Sequence, residues 1–260
     1  MFRLLFCRLI IQISNLCSLF LFPAQHSEGS ILRLGNPLLD VSAIVKPELL
    51  KRYNMEPNNA ILASEEHKNL CKDMSDEYEV EYIAGGAVQN SIRVAQWFFT
   101  KPMIGTFVGG VGADANAEQM RSKAAECHVR VSYKVDPEVP TGTCACLITS
   151  HGKNRSLCAY LGASQKFSPQ YLKENMDLVE KARIIYTSGF HLMVSLEASM
   201  ILATHAHANE GKLFAFNLSA PYISHACPKE LAAILPYTDL LFGNETEAVA
   251  YSQMRGWNVS

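Results

Sequence analysis

The chain has 260 residues, 48% apolar and 18% charged, with 23 Lys+Arg against 25 Asp+Glu for a net charge of −2. That composition excludes a disordered tail, a collagen and a charge-rich coiled coil, and leaves enough chain for one large core or a core with a smaller lobe. No basic excess points to nucleic acid or anionic lipid as a partner.

Residues 1–22 are strongly apolar, and Pro23 ends the run. This stretch reads either as a secretory signal peptide or as a gene-model artefact. Arg8, Gln12 and Asn15 interrupt it, which weakens both a signal and a membrane span. Residues 1–30 are therefore set apart from the folded unit.

After residue 30 the pattern is strand, loop, helix, repeated. The strand candidates are 31–35, 79–86, 103–110, 182–189, 213–219 and 239–243. Helix candidates follow several of them. Val88, Ile92, Ala95 and Phe99 lie on one helical stripe, and 115–128 has good helical composition. A helix over 196–209 has Ser195 as its N-cap and Gly211 as its stop. Short buried strands alternating with helices predict a mainly parallel central sheet with helices on both faces. Residues 141–163 break the rhythm. They read as two strands around a polar turn at His151–Asn154, a hairpin suited to a small β lobe.

The eight cysteines have no C-x-x-C spacing and read as free thiols in a reducing compartment. His205 and His207 point to different faces of one helix and are not read as ligands.

Four local motifs offer chemistry. Asn36-Pro37-Leu38-Leu39-Asp40 is placed just past the end of the first strand, where open parallel sheets bind ligands. Asp40 there accepts two hydrogen bonds from a vicinal diol, or merely satisfies its own loop. Gly85-Gly86 leads into a helix carrying Asn90. Glycines let a ligand approach backbone closely, and a tight strand-to-helix turn explains them equally. Gly110-Val111-Gly112-Ala113-Asp114-Ala115 fits a dinucleotide fingerprint, with Asp136 further on, although Asp114 as a helix N-cap explains the same string. Asn244-Glu245-Thr246-Glu247 reads as a capping box, and also as hard oxygen donors for a Mg²⁺ water shell. No Walker A string, G-x-S-x-G elbow or H-E-x-x-H is present, which removes P-loop NTPases, α/β-hydrolases and common zinc proteases.

Taken together, LGNPLLDVSA (34–43), EYIAGGAVQNSIRVAQW (81–97), PTGTCACLIT (140–149), NRSL (154–157), LVEKARIIY (178–186), FNLSAPYIS (216–224) and LLFGNETEA (240–248) resemble the ribokinase-like (PfkB) sugar kinases, and within them the adenosine kinases. The resemblance covers residues 31–260. It implies an α/β ribokinase-like fold with a mainly parallel sheet and a small β lid, with lid elements near 38–64 and 141–163.

The activity it implies is ATP-dependent phosphorylation of the adenosine 5′-hydroxyl, giving AMP and ADP in purine salvage, with Mg²⁺. It implies a monomer acting in the cytoplasm or the nucleus, with secretion as the alternative reading if the leader is a signal peptide. Asp40 and Asn90 would grip the ribose, with Asn36, Gly85 and Gly86 close by. Leu38, Leu62, Cys144, Ala159, Leu161, Phe190 and Tyr222 would enclose adenine. Arg155, Asn244 and Glu247 would meet ATP phosphates, with Glu247 reaching the metal through water. Ala60 stands where a polar residue is expected, and Tyr222 where Phe is common.

Family members carry a D-T-x-G-A-G-D motif supplying the catalytic base, and this sequence has none. The base is expected beyond Ser260, the domain is read as incomplete, and this chain alone is expected to be inactive. A glycan on the sequons at Asn217 or Asn244 would not fit a cleft there, which favours an artefactual or untranslocated leader. Three other readings are a non-catalytic nucleoside-binding fragment, another PfkB-type sugar kinase, and a nicotinamide-dependent oxidoreductase resting on 110–115 alone.

Overall fold

A computed structural model describes residues 27–257, so the apolar leader lies outside the described residues. In chain order the strands are β1 (Ile31–Leu34), β2 (Leu38–Ile44), β3 (Ala60–Leu62), β4 (Glu81–Gly85), β5 (Gly105–Gly112), β6 (Arg130–Asp136), β7 (Thr143–Thr149), β8 (Asn154–Tyr160), β9 (Ile184–Ser188), β10 (Leu213–Asn217) and β11 (Leu240–Phe242). The helices are α1 (Pro47–Arg52), α2 (Leu70–Glu77), α3 (Ala87–Trp97), α4 (Ala115–Glu126), α5 (Pro169–Glu174), α6 (Met176–Lys181), α7 (Gly189–Leu192), α8 (Leu196–Ala208), α9 (Pro221–Ala226), α10 (Pro228–Ile234) and α11 (Glu245–Met254).

Six strands form an all-parallel sheet in the order β11-β10-β9-β1-β5-β6. Strand alternation divides its side chains between two faces. Leu32, Leu34, Val108, Ile185, Phe214 and Phe216 pack with Leu172, Val179, Leu202 and Leu231 on one face. Ile31, Phe107, Val111, Tyr133 and Ile184 pack with Val88, Ile92 and Met120 on the other. Helices thus cover both faces, and every residue of β5 is buried. From β1 the chain first builds outward through β5 and β6, then returns to build β9, β10 and β11 on the other side. The topological switch point therefore lies between β1 and β9, where such sheets open a crevice at their carboxyl ends.

A second sheet runs β3-β8-β7-β2-β4. β7 and β8 pair antiparallel across the turn after Thr149. The sheet is wider than the two strands legible in the sequence. The sequence pattern of β4 matches the parallel series, yet the strand pairs antiparallel with β2 in this second sheet. The sequence suggests a loop for NPLLD, but Leu38–Ile44 is strand, and Asp40 sits inside it. One face of this sheet packs Ala43, Ala145 and Leu147 on Leu49, Leu70 and Met74 of α1 and α2. The opposite face gathers Leu38, Cys144 and Cys146 with Leu157, Ala159 and Leu161.

Helix starts follow local chemistry. Asp114 and Ser195 accept hydrogen bonds from the backbone N–H of Ala117 and Ala198, capping α4 and α8. No helix among the described residues is long and apolar enough to cross a membrane. Cys71, Cys127, Cys144, Cys146, Cys158 and Cys227 are free; Cys7 and Cys17 lie outside the described residues.

Candidate functional site

The sheet register brings the first group of residues together. Asp40 faces Cys144 across the β2–β7 pairing, and Gly85 lies across β2–β4, opposite Leu38. Gly85 is needed at this point because a Cβ there would lie 2.2 Å from the Asp40 carboxyl carbon. Gly86 follows with φ +91° as the N-cap of α3, and a Cβ on it would stand 2.2 Å from the Asn36 carbonyl oxygen. The turn thus sets the Asp40 carboxylate beside Asn90, which hydrogen-bonds it.

Asp40 is 6% exposed. Burial pushes its carboxyl up to about 6, against the pull of Arg155, the Asn90 hydrogen bond and Arg93. Arg93 Nη1 donates to Asn90 Oδ1 at 3.2 Å and to the Ala84 carbonyl at 3.2 Å. It therefore fixes the Asn90 amide so that its N–H groups face the carboxylate. Arg155 Nη2 donates to Cys146 Sγ at 3.7 Å, and the Cys144 and Cys146 sulfurs are 4.0 Å apart. Their mutual hydrogen bond pushes the Cys144 thiol up and the Cys146 thiol down.

An apolar wall adjoins this group. Leu38 and Cys144 are buried, with Ala159 and Leu161 packed against them. Leu62 pairs with Ala159 and is 58% exposed. On the other side of the switch-point crevice, the Phe190 and Tyr222 rings lie 6.3 Å apart at 41°. Asn36 joins the two sides. Its Nδ2 donates to the Phe190 carbonyl at 3.3 Å, and its Oδ1 lies 3.0 Å from His191 Nδ1. Asn36 thus serves as a brace between the ends of β1 and β9.

His191 is fully buried, and burial pushes it down to about 3, so it is neutral, with Nδ1 as the donor to Asn36. Its folded value lies below the unfolded one, so the fold loses stability as pH falls from about 6.5 towards 3, by up to about 5 kcal/mol. His191→Gln should flatten the pH slope of urea-unfolding stability across that window. A slope equal to that of the parent chain would contradict the assignment.

Asn244 and Glu247 sit apart from Asp40, at the carboxyl end of β11. β11 lies three strands from β1, or roughly 14 Å at the usual strand spacing. They form a full capping box: Asn244 Oδ1 accepts from the Glu247 N–H at 2.9 Å, and Glu247 Oε2 accepts from the Asn244 N–H at 3.1 Å. Asn244 Nδ2 also donates to Glu247 Oε1 at 3.1 Å. Glu247 is buried, and a carboxylate offers about four acceptor positions, so these hard oxygens still fit a hydrated Mg²⁺. Asn244→Ala should cost about 1 kcal/mol in a thermal melt; no loss would contradict the cap.

The 110–115 string does not form a nucleotide loop. Gly110 and Gly112 lie within β5, and the places their Cβ atoms would take are filled by Ala163 O at 2.7 Å and Thr141 N at 2.6 Å. Asp136 ends β6, where its Oδ1 accepts from the backbone N–H of Glu138 and Val139. A cleft of about 710 Å³ opens beside the end of α3, lined by Asn90, Arg93, Trp97, Lys101 and His128 among others, so it borders the Asp40 group through Asn90 and Arg93.

A family model described as pfkB family carbohydrate kinase matches residues 55–259. The chain belongs to the pfkB carbohydrate kinase family. Within it, adenosine kinase 2 of Arabidopsis thaliana is 45% identical over 236 residues, which cover 90% of this chain and 68% of that protein. Among solved structures, Anopheles gambiae adenosine kinase in complex with P1,P4-di(adenosine-5) tetraphosphate is 44% identical, with a TM-score of 0.80 over 88% of this chain and 68% of that one. Schistosoma mansoni adenosine kinase with adenosine and AMP is 32% identical, with a TM-score of 0.80 over 90% and 69%. The chain spans about two thirds of the length of these relatives.

Arg93, Cys146 and His191 belong to the site although none of the sequence motifs marks them. Arg93 stands three positions after Asn90, one helical turn on, and Cys146 stands two after Cys144 on a strand. Both spacings were visible. A buried neutral histidine leaves no comparable local trace.

Proposed function

We propose that this chain binds adenosine and forms the nucleoside-holding part of an ATP-dependent adenosine 5′-phosphotransferase. The observation that carries the reading is the buried carboxylate of Asp40, held beside the Asn90 amide next to an apolar wall. Asp40 accepts from the ribose 2′- and 3′-hydroxyls, and the remaining Asn90 N–H donates to the same diol. Adenine lies between the wall of Leu38, Leu62, Cys144, Ala159 and Leu161 and the rings of Phe190 and Tyr222. The extent of that wall favours a nucleoside over a bare sugar. Arg155 and the ends of β10 and β11 take phosphate. Asn244 and Glu247 would hold Mg²⁺ through water, and when bound it supplies charge neutralisation at the phosphates. Free thiols favour a reducing, cytoplasmic setting.

The sequence contains no D-T-x-G-A-G-D string, so no residue here is assigned as the base that takes the 5′-hydroxyl proton. Calorimetry with adenosine should show binding, while incubation with ATP, Mg²⁺ and labelled adenosine should give no AMP. Absence of binding would overturn the nucleoside reading. Robust AMP formation would show that a base lies among these residues.

A further inference from the structure

We propose that Asp40, Cys144 and Cys146 form a binding site for one thiophilic divalent cation, such as zinc or cadmium. The two cysteines are alternate residues of β7, so both side chains leave the same face of the sheet, and Asp40 joins them from β2 in direct register. Their potential ligand atoms all lie within 4.8 Å of one another, and all three residues are buried. The sulfurs are 4.0 Å apart. Two Zn–S bonds of about 2.3 Å at a tetrahedral angle place sulfurs about 3.8 Å apart, so the thiol pair is already spaced for metal.

The surrounding charges suit the same occupant. Two thiolates and a carboxylate exceed a divalent cation by one negative charge. Arg155, donating to Cys146 Sγ at 3.7 Å, restores neutrality. Asn90 supports Asp40 from the other side, so two of the three ligands have a hydrogen-bonding partner that orients them. Three protein ligands leave a fourth position for water. Binding releases the two thiol protons to solvent. Cys158 lies on the opposite face of the sheet and takes no part.

The proposal does not depend on the nucleoside reading, because metal alone is the probe. Cadmium titrated into the chelator-treated full chain should produce a thiolate-to-cadmium charge-transfer band that saturates at one equivalent. The band should be lost in Cys146→Ser and Cys146→Ala, each checked for folding by circular dichroism, and kept in Cys127→Ser and Cys158→Ser. Asp40→Asn should weaken cadmium binding about tenfold or more. No band at one equivalent, or a band unchanged in a folded Cys146 variant, would overturn the site.

Discussion

Asp40→Asn should abolish adenosine binding while making the protein more stable at pH 7. The Asp40 carboxyl is lifted from 3.8 to about 6, chiefly by burial. Because the folded value is the higher one, the fold carries no penalty from this group below pH 4. It acquires one as pH rises through 6, reaching about 3 kcal/mol. Asparagine keeps the shape and removes the buried charge, so the variant should melt higher. The difference should open between pH 4 and 6 and vanish in more acid solution, where His191 dominates with the opposite sign. Melts of both proteins in chelator-containing buffer across that range check this. A variant less stable at pH 7 would show that Arg155, Arg93 and Asn90 more than offset the burial. Binding is lost because a neutral amide accepts less strongly and presents a donor where the diol also donates.

Neighbouring glycines should fail in different ways. Gly85→Ala puts a methyl group 2.2–2.3 Å from all three atoms of the Asp40 carboxyl group. A side chain can swing away, so the fold should survive while adenosine affinity is lost. Gly86→Ala meets the Asn36 carbonyl oxygen, which is backbone, at 2.2 Å, and holds alanine at φ +91°. Overpacking and left-handed strain together should cost on the order of 3 kcal/mol or more. Urea unfolding and calorimetry on the two variants separate these outcomes. Equal destabilisation by both substitutions would contradict the division of roles.

Much of this arrangement was legible because its causes are local. Ser195, Asp114 and Asn244 sit one position before helices, and each caps as its side chain dictates. The buried run of β5 and the apolar runs of β9 and β10 marked the parallel sheet. What failed was pairing at a distance. Glu81–Gly85 runs straight into α3, which mimics a strand of the parallel series, and only its partner β2 assigns it to the second sheet. Asn36-Pro37 resembles a turn, and that obscured the alternation of Leu38, Asp40 and Ser42 against Leu39, Val41 and Ala43, the period-two signature of β2. The Asn36–His191 brace spans 155 positions, and no local pattern encodes it.

The most direct test compares adenosine with 2′,3′-dideoxyadenosine by titration calorimetry on this chain at pH 7. Removing both hydroxyls leaves a buried carboxylate and its amide partner unpaired, so the account predicts an affinity loss of about a hundredfold or more. Equal affinity for the two nucleosides would mean that Asp40 and Asn90 do not hold the ribose.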